Sequence, residues 1–289
     1  MATDYQKTLA RPLSLSGHGV HSGRECAVTL VPAPVDYGVR FIRADLPGTP
    51  EIPVCPSSIS EEPLLRQTIL CHPQDKSVSV RTVEHILAVL HGLGIDNARV
   101  EMTGPEAPIW DGGVGELARR VAARGTRRQE AAERRTFRIG KPVSFAPEDT
   151  AGVEYTAWPS ETLTVTYFLE YNHPVIGSQA VSFQVEPDVF AAEIAPARTF
   201  CTSAEVEYLR SRGLVKGGQT GNAIVVGDEG ILNTRLRWPD EMARHKLLDL
   251  LGDLLLIGAP VRGHVLAYRG GHHANAQFIR FLGKEFPQA

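Results

Sequence analysis

The chain has 289 residues, 43% hydrophobic and 22% charged, proportions of a folded protein with one large or two ordinary domains that exclude disordered, collagen-like and coiled-coil readings. Thirty basic against thirty-three acidic residues leave a formal charge of -3, without the basic excess of a nucleic-acid binder, so any anionic ligand has to be met by local charges.

Along the chain, the opening residues Met1-Ala-Thr-Asp-Tyr-Gln-Lys follow neither a secretory nor an organellar targeting pattern, and a cytoplasmic location is expected. Ala27–Leu30 and Val39–Ile42 cluster β-formers between Pro- and Gly-rich turns and predict strands, whereas Arg81–Gly92 carries Val83, Ile86, Leu87, Val89 and Leu90 at helical spacing. Asp96–Met102 predicts a strand and Val114–Ala123 a second helix. The charged, apolar-poor stretch Arg124–Arg135 is expected to be an interdomain linker or an exposed helix end. Beyond it come strands around Leu163–Leu169 and Ala180–Val185, a helical run Asp240–Ile257, a strand Gly263–Tyr268 and a closing helix Asn275–Lys284. The most apolar stretch, Leu247–Pro260, is interrupted by Asp249 and Asp253 and does not predict a membrane span. Cys26, Cys55, Cys71 and Cys201 lie far apart, without the paired spacing of a zinc knuckle, and are expected to be reduced and mostly buried.

The second half repeats the order of the first. Both 84–94 and 244–254 begin a buried helix with a histidine, and each is followed by a strand and another helix. This duplication predicts an α+β fold of two similar domains, each a sheet packed on helices, with a shared cleft between them. The expected division is 1–125, a linker at 126–136, and 137–289.

Three segments carry the candidate chemistry. In Arg244-His-Lys-Leu-Leu-Asp249, His245 and Asp249 stand four apart on one helix face. A surface ion pair explains a lone pattern of this kind, but the leucines around it place these polar groups, with Asp253 a turn further on, in an apolar helix where charges need a partner or a metal. In Thr82-Val-Glu-His85, adjacent Glu84 and His85 point ~100° apart, so one can bind a metal while the other faces water activated beside it. Thr82 as N-cap, with Glu84 near the positive helix end, is a structural alternative that leaves the histidine unexplained. Tyr268-Arg-Gly-Gly-His-His-Ala-Asn275 reads as a glycine-flexed turn between strand and helix that bears His272 and His273 and can hold an imidazole over a cleft, or as an ordinary polar loop. Two histidines and a carboxylate with a fourth position left for water describe a catalytic zinc site, although Fe(II) suits the same donors.

These segments resemble the UDP-3-O-acyl-N-acetylglucosamine deacetylases, zinc amidases of bacterial lipid A synthesis. The resemblance runs nearly end to end through Gly19-Val-His-Ser-Gly23, Thr82–His85, Gly94-Ile-Asp-Asn-Ala98, Gly104-Pro-Glu-Ala-Pro-Ile-Trp-Asp-Gly112, Asn172-His-Pro174, Glu193–Phe200, Lys216-Gly-Gly218, Asn222-Ala-Ile-Val225, Arg244–Asp249 with Asp253, and Gly271-His272. It implies that His85, His245 and Asp249 bind zinc, that Glu84 is the general base, and that His272 stabilises charge or protonates the leaving amine. It further implies that Thr199 stabilises the oxyanion and that Asp253 orients the catalytic histidine. Lys246 and Arg269 become candidates for binding the UDP phosphates, arginine keeping the charge where relatives commonly have lysine. The family fold is a β-α-α-β sandwich with its active site at the interdomain cleft. Its second domain carries an insert, here about 198–218, that forms an acyl passage for which Phe200, Val206, Tyr208, Leu209, Leu214 and Val215 are the apolar candidates. The implied reaction is hydrolysis of the N-acetyl group of UDP-3-O-[(3R)-3-hydroxyacyl]-N-acetylglucosamine by a cytoplasmic monomer with no nucleic-acid partner.

The chain departs from the family at Gln219-Thr-Gly221, where an acidic residue is usual, and by the additional His273. Two rivals remain: a zinc amidase acting on another acylated nucleotide-sugar, and a non-catalytic binder, which has no need of the base Glu84.

Overall fold

The computed structural model describes residues 4–287 apart from 63, 219 and 220. The chain opens with β1 (Tyr5–Leu9), β2 (Leu13–His18), β3 (Glu25–Pro32), β4 (Val39–Arg43) and β5 (Glu51–Pro53), followed by the short hairpin β6 (Ile69–Cys71) and β7 (Ser79–Arg81). Helix α1 (Glu84–Gly92), β8 (Ala98–Met102) and α2 (Gly115–Arg124) complete the first half. Then come β9 (Thr126–Glu133), β10 (Phe137–Arg138), β11 (Val143–Phe145), β12 (Glu154–Trp158), β13 (Leu163–Glu170), β14 (Ser178–Gln184) and the single turn α3 (Pro187–Val189). After β15 (Phe200–Thr202), α4 (Ser203–Ser211), β16 (Ile224–Gly227) and β17 (Gly230–Ile231), the chain ends in α5 (Glu241–Leu254), β18 (Val261–Tyr268) and α6 (His272–Glu285).

The duplication expected from the sequence is visible in the sheets. The first has order β2-β3-β8-β4-β5 and the second β11-β12-β18-β13-β14, with β10 added beside β18. In each, the strand that follows the buried helix (β8 or β18) enters the middle, parallel to one neighbour and antiparallel to the other. The alternation of buried and part-exposed positions along β8 and β18 shows one face of each sheet turned to the core. Helices α1 and α5 pack on each other between the sheets, and α1 is buried along its whole length, giving a sheet-helix-helix-sheet sandwich.

Two local expectations change. The charged stretch read as a linker or helix end is β9, paired antiparallel with β1 over Thr126–Leu9 to Glu133–Tyr5. Its long polar side chains face solvent on both sides except at Gln129, so no apolar alternation announced it. Thr82 is not an N-cap: Val83 holds that position without a side-chain bond, and Thr82 lies buried at φ +56 with its hydroxyl unpartnered. A β-branched residue in the left-handed region is strained, a feature that gathers at functional sites. No helix among the described residues is long and apolar enough to cross a membrane. All four cysteines are free, Cys26 and Cys71 buried, Cys55 and Cys201 only partly so.

Candidate metal centre and active site

The crossing of α1 and α5 builds the site. At Gly252 a Cβ would fall 2.0 Å from the Glu84 carbonyl oxygen, so only glycine lets the two backbones approach this closely. This contact brings the first turn of α1, with Glu84 and His85, against the middle of α5, with His245 and Asp249. His85 Nε2 and His245 Nε2 lie 3.6 and 3.3 Å from Asp249 Oδ1, and the two rings meet edge to face at 5.2 Å. One ligand atom from each of the three lies within 4.8 Å of the others.

A metal fits this arrangement. A tetrahedral ion with bonds of roughly 2.0–2.1 Å spaces its ligand atoms by about 3.3–3.5 Å, close to both observed separations. Asp249 Oδ1 is buried without a hydrogen-bond partner, a costly condition that a cation relieves. The protonation states also suit it. Burial pushes His245 down to about 4, leaving a neutral ring, and its Nδ1 lies 3.1 Å from the Ala197 carbonyl, which fixes Nε2 as the free donor atom. Burial works against the Asp249 carboxylate, but His245, Lys246 and His85 beside it hold its pKa well below the ordinary range; Lys246 Nζ donates to its Oδ2 at 2.7 Å.

Around this centre lie further titratable groups. Burial raises Glu84 above its ordinary value, against the pull of His272 and His85. Its Oε2 accepts the Thr68 main-chain N–H at 2.9 Å, and its Oε1 lies 3.8 Å from His272 Nε2. His272 Nδ1 is 3.0 Å from Asp253 Oδ2. Burial alone would lower this histidine, but Asp253 and Glu84 push it up to about 9, so it carries a proton on Nε2, the atom turned toward Glu84 and Asp249. Asp253 is itself satisfied by the Thr68 hydroxyl at 2.6 Å and the Asn275 amide at 2.8 Å. His272 opens α6 rather than sitting in a free turn, the turn being Arg269–Gly271. His273 bonds Asp149 at 2.8 Å on the outside and does not line the cavity.

Glu84, His85, His245, Asp249, His272, Thr199, Lys246 and Phe200 all line one cavity of about 70 Å³. Thr199 is fixed there by main-chain bonds to Gly112 and Ile224. Of the insert residues expected to form an apolar lining, Phe200, Leu209 and Val215 do so. Leu214 does not: its N–H closes the end of α4 on Leu209, and Val215, the next residue, faces the cavity instead. Val206 and Tyr208 are also absent from the lining, Tyr208 being half exposed under Arg212. Asp253 stands behind His272 and not at the cavity wall. Arg269 lines two neighbouring cavities that share Lys246 with the first, one of them flanked by Tyr171 and Asn172. Gln219 and Thr220 of the departing loop lie outside the described residues; a Cβ at Gly221 would meet nothing within 4 Å.

The structure adds residues that sequence reasoning missed. Thr68 joins Glu84, Asp253 and His272 through one hydroxyl and one amide, and Arg66, paired with Glu205 of α4, lines the same cavity. Both precede β6, in a stretch with no periodic or chemical signature. Asn275 and His21 stood inside quoted motifs without an assigned role.

Comparison with known proteins finds relatives along nearly the whole chain. Over 97% of this chain and 94% of its own length, the UDP-3-O-acyl-N-acetylglucosamine deacetylase of Thermosynechococcus vestitus is 41% identical. The protein of that name from Nostoc sp. is 40% identical over 95% of this chain and 97% of its own length. A bifunctional enzyme LpxC/FabZ of Chlorobaculum tepidum is 37% identical over 97% of this chain, which spans 64% of that longer protein. The family model described as LpxC, UDP-3-O-acyl N-acetylglycosamine deacetylase, matches residues 6–284, and the chain belongs to that family.

Proposed function

We propose that the protein is a zinc amidase that hydrolyses the N-acetyl group of a UDP-3-O-acyl-N-acetylglucosamine, releasing acetate in the committed step of lipid A biosynthesis. The observation that carries this reading is the convergence of three ligand atoms, one of them an unpartnered Asp249 oxygen, beside the Glu84 carboxylate and a protonated histidine. A divalent zinc held by His85, His245 and Asp249 supplies Lewis acidity, favouring deprotonation of water and polarisation of the acetamide carbonyl.

Glu84 accepts the proton of the attacking water. The Thr199 hydroxyl and the Nε2–H of His272 donate to the oxygen that becomes negative as the carbonyl turns tetrahedral. His272, backed by Asp253, holds the proton that the departing amine nitrogen needs. Lys246 serves twice, neutralising Asp249 and, with Arg269, offering charge to the substrate phosphates in the adjoining cavities. Phe200, Leu209 and Val215 are the insert side chains that meet the acyl chain. The two halves act as two α+β units, meeting near β9, with the reaction in the cleft between them. A reducing, cytoplasmic setting is supported by the four free thiols, and we take the active unit to be a monomer.

The decisive experiment measures acetate release from the acylated UDP-sugar by purified protein, before and after a chelator and again after zinc is restored. Activity lost to the chelator and regained with zinc is expected. Activity indifferent to metal removal rejects the mechanism, and binding without turnover favours a non-catalytic protein.

A further inference from the structure

His21 is a buried cavity side chain that the proposed chemistry leaves without a task. It is 8% exposed and neither ring nitrogen has a hydrogen-bond partner, although the loop that carries it is held firmly. The Glu106 carboxylate accepts the main-chain N–H groups of His21 and Ser22, both at 2.7 Å, and Gly19 packs so closely on it that a Cβ would come within 2.3 Å. On the other side, the carbonyls of Val20 and His21 accept the N–H groups of Gly217 and Lys216 at 3.0 and 3.1 Å. The loop is therefore held in place while neither ring nitrogen makes a well-formed hydrogen bond, the Arg66 main chain being the one protein group close enough to act on the ring in that way, and at a buried position this leaves room for a ligand group.

Its surroundings say which group. The loop is bonded to the insert directly after Val215, and Val20 and Ile109 share the cavity wall with the insert's apolar side chains. The His21 ring is also close enough to His272 for their charges to interact. It thus stands where the apolar walls meet the metal-binding groups. A substrate with its tail against those walls and its acetamide at the metal centre places between them the ester that joins chain to sugar. Burial favours the neutral ring, with Glu106 acting in the opposite sense, and a neutral imidazole offers one N–H donor.

We propose that His21 is a substrate-binding residue whose ring N–H donates to the ester carbonyl of the 3-O-acyl group, so that the cavity selects an O-acyl sugar and not merely one with an apolar tail. The inference rests on the deacetylase reading. Its test compares kcat/KM for two substrates with the same chain, one attached through the ester and one through an ether that lacks the carbonyl. Wild type is expected to prefer the ester by about 10-fold, the size of one net hydrogen bond. In His21→Phe the ester substrate should lose that factor, the ether much less, and the preference should fall toward one. His21→Gln, which keeps an N–H donor, should restore part of it, with metal content and Tm followed in both variants. Equal losses on both substrates in His21→Phe, or no ester preference in wild type, overturn the proposal while leaving the deacetylase reading intact. Should His21→Phe fail to fold, the wild-type comparison and the Gln variant decide. A wild type inactive on the ester substrate removes both readings together.

Discussion

Replacing Gly252 with alanine tests whether the fold itself sets the metal geometry. The new Cβ would meet the Glu84 carbonyl oxygen at 2.0 Å and the Ala88 nitrogen at 3.1 Å, where ordinary contact begins at 3.4 Å, so α1 and α5 have to part by about 1.4 Å at that point. His245 and Asp249 share α5 and keep their spacing. His85 rides on α1, and its separation from Asp249 would grow from 3.6 Å toward about 5 Å, far outside the roughly 0.2 Å tolerance of a metal bond. Overpacking of this kind costs about 1–3 kcal/mol, which in a chain of this size lowers Tm by several degrees. Elemental analysis and calorimetry of Gly252→Ala are expected to show less than half an equivalent of zinc and a reduced Tm, with the far-UV spectrum retained. A variant that binds one full equivalent with the wild-type Tm would refute the claim that this crossing positions the ligands.

Three further outcomes follow from the same geometry. His85→Ala, His245→Ala and Asp249→Ala should each bind less than one equivalent of zinc and lose most deacetylation; full metal and near-wild-type turnover in any one would remove that residue from the centre. The pH profile of kcat/KM should be bell-shaped, rising as Glu84 loses its proton and falling on the alkaline side as His272 loses its own, with the basic limb lost in His272→Ala and retained in His273→Ala. For stability, His91 lies buried on α1 with Nδ1 2.9 Å from the Leu251 carbonyl, and burial lowers it to about 4. Its unfolded form therefore binds more protons between about pH 6.5 and 4, so roughly 3 kcal/mol of stability present near neutrality is lost as pH falls through that range; His91→Gln should flatten this slope in denaturant titrations, and an unchanged slope would show that other groups set it.

What the sequence disclosed and what it withheld separate by range. Elements whose periodicity reports burial, α1, α5, β13 and β18, were legible within a few residues, because one chain segment decides them. The internal repeat was legible for the same reason, and it implied the matched sheets. Spacing also placed His245 and Asp249 on one face. It did not show that α1 would cross at Gly252, since the need for glycine there is set by Glu84, distant in the chain. Nor did it reveal Thr68, whose partners Asp253 and His272 lie some two hundred residues on, or β9, whose partner strand is at the other end of the first half. The choice between Leu214 and Val215 was a question of which neighbour turns inward at the end of α4, and composition does not answer it.

On the proposed reading, the charges gathered at the crossing explain how an acidic protein would serve an anionic substrate. Glu84, Asp249, Asp253 and His272 are buried together, with Lys246 half-buried against Asp249, so in ionised form the three carboxylates outnumber these two cations by one. Such an excess is costly in a low-dielectric interior, and the raised pKa of Glu84 is one response to it. A divalent ion held by His85, His245 and Asp249 would reverse the balance to a net positive charge. In the proposed mechanism metal retention and catalysis would draw on the same electrostatics: the carboxylates that favour cation binding would leave, with the cation present, a site suited to the negative charge that grows on the carbonyl oxygen. A cation held there would also lower the proton affinity of Glu84, favouring the ionised carboxylate that its proposed role as base requires. Lys246 links this centre to the cavities beside Arg269, so on the proposed reading these two cations would meet the substrate phosphates although the chain as a whole carries a formal charge of -3.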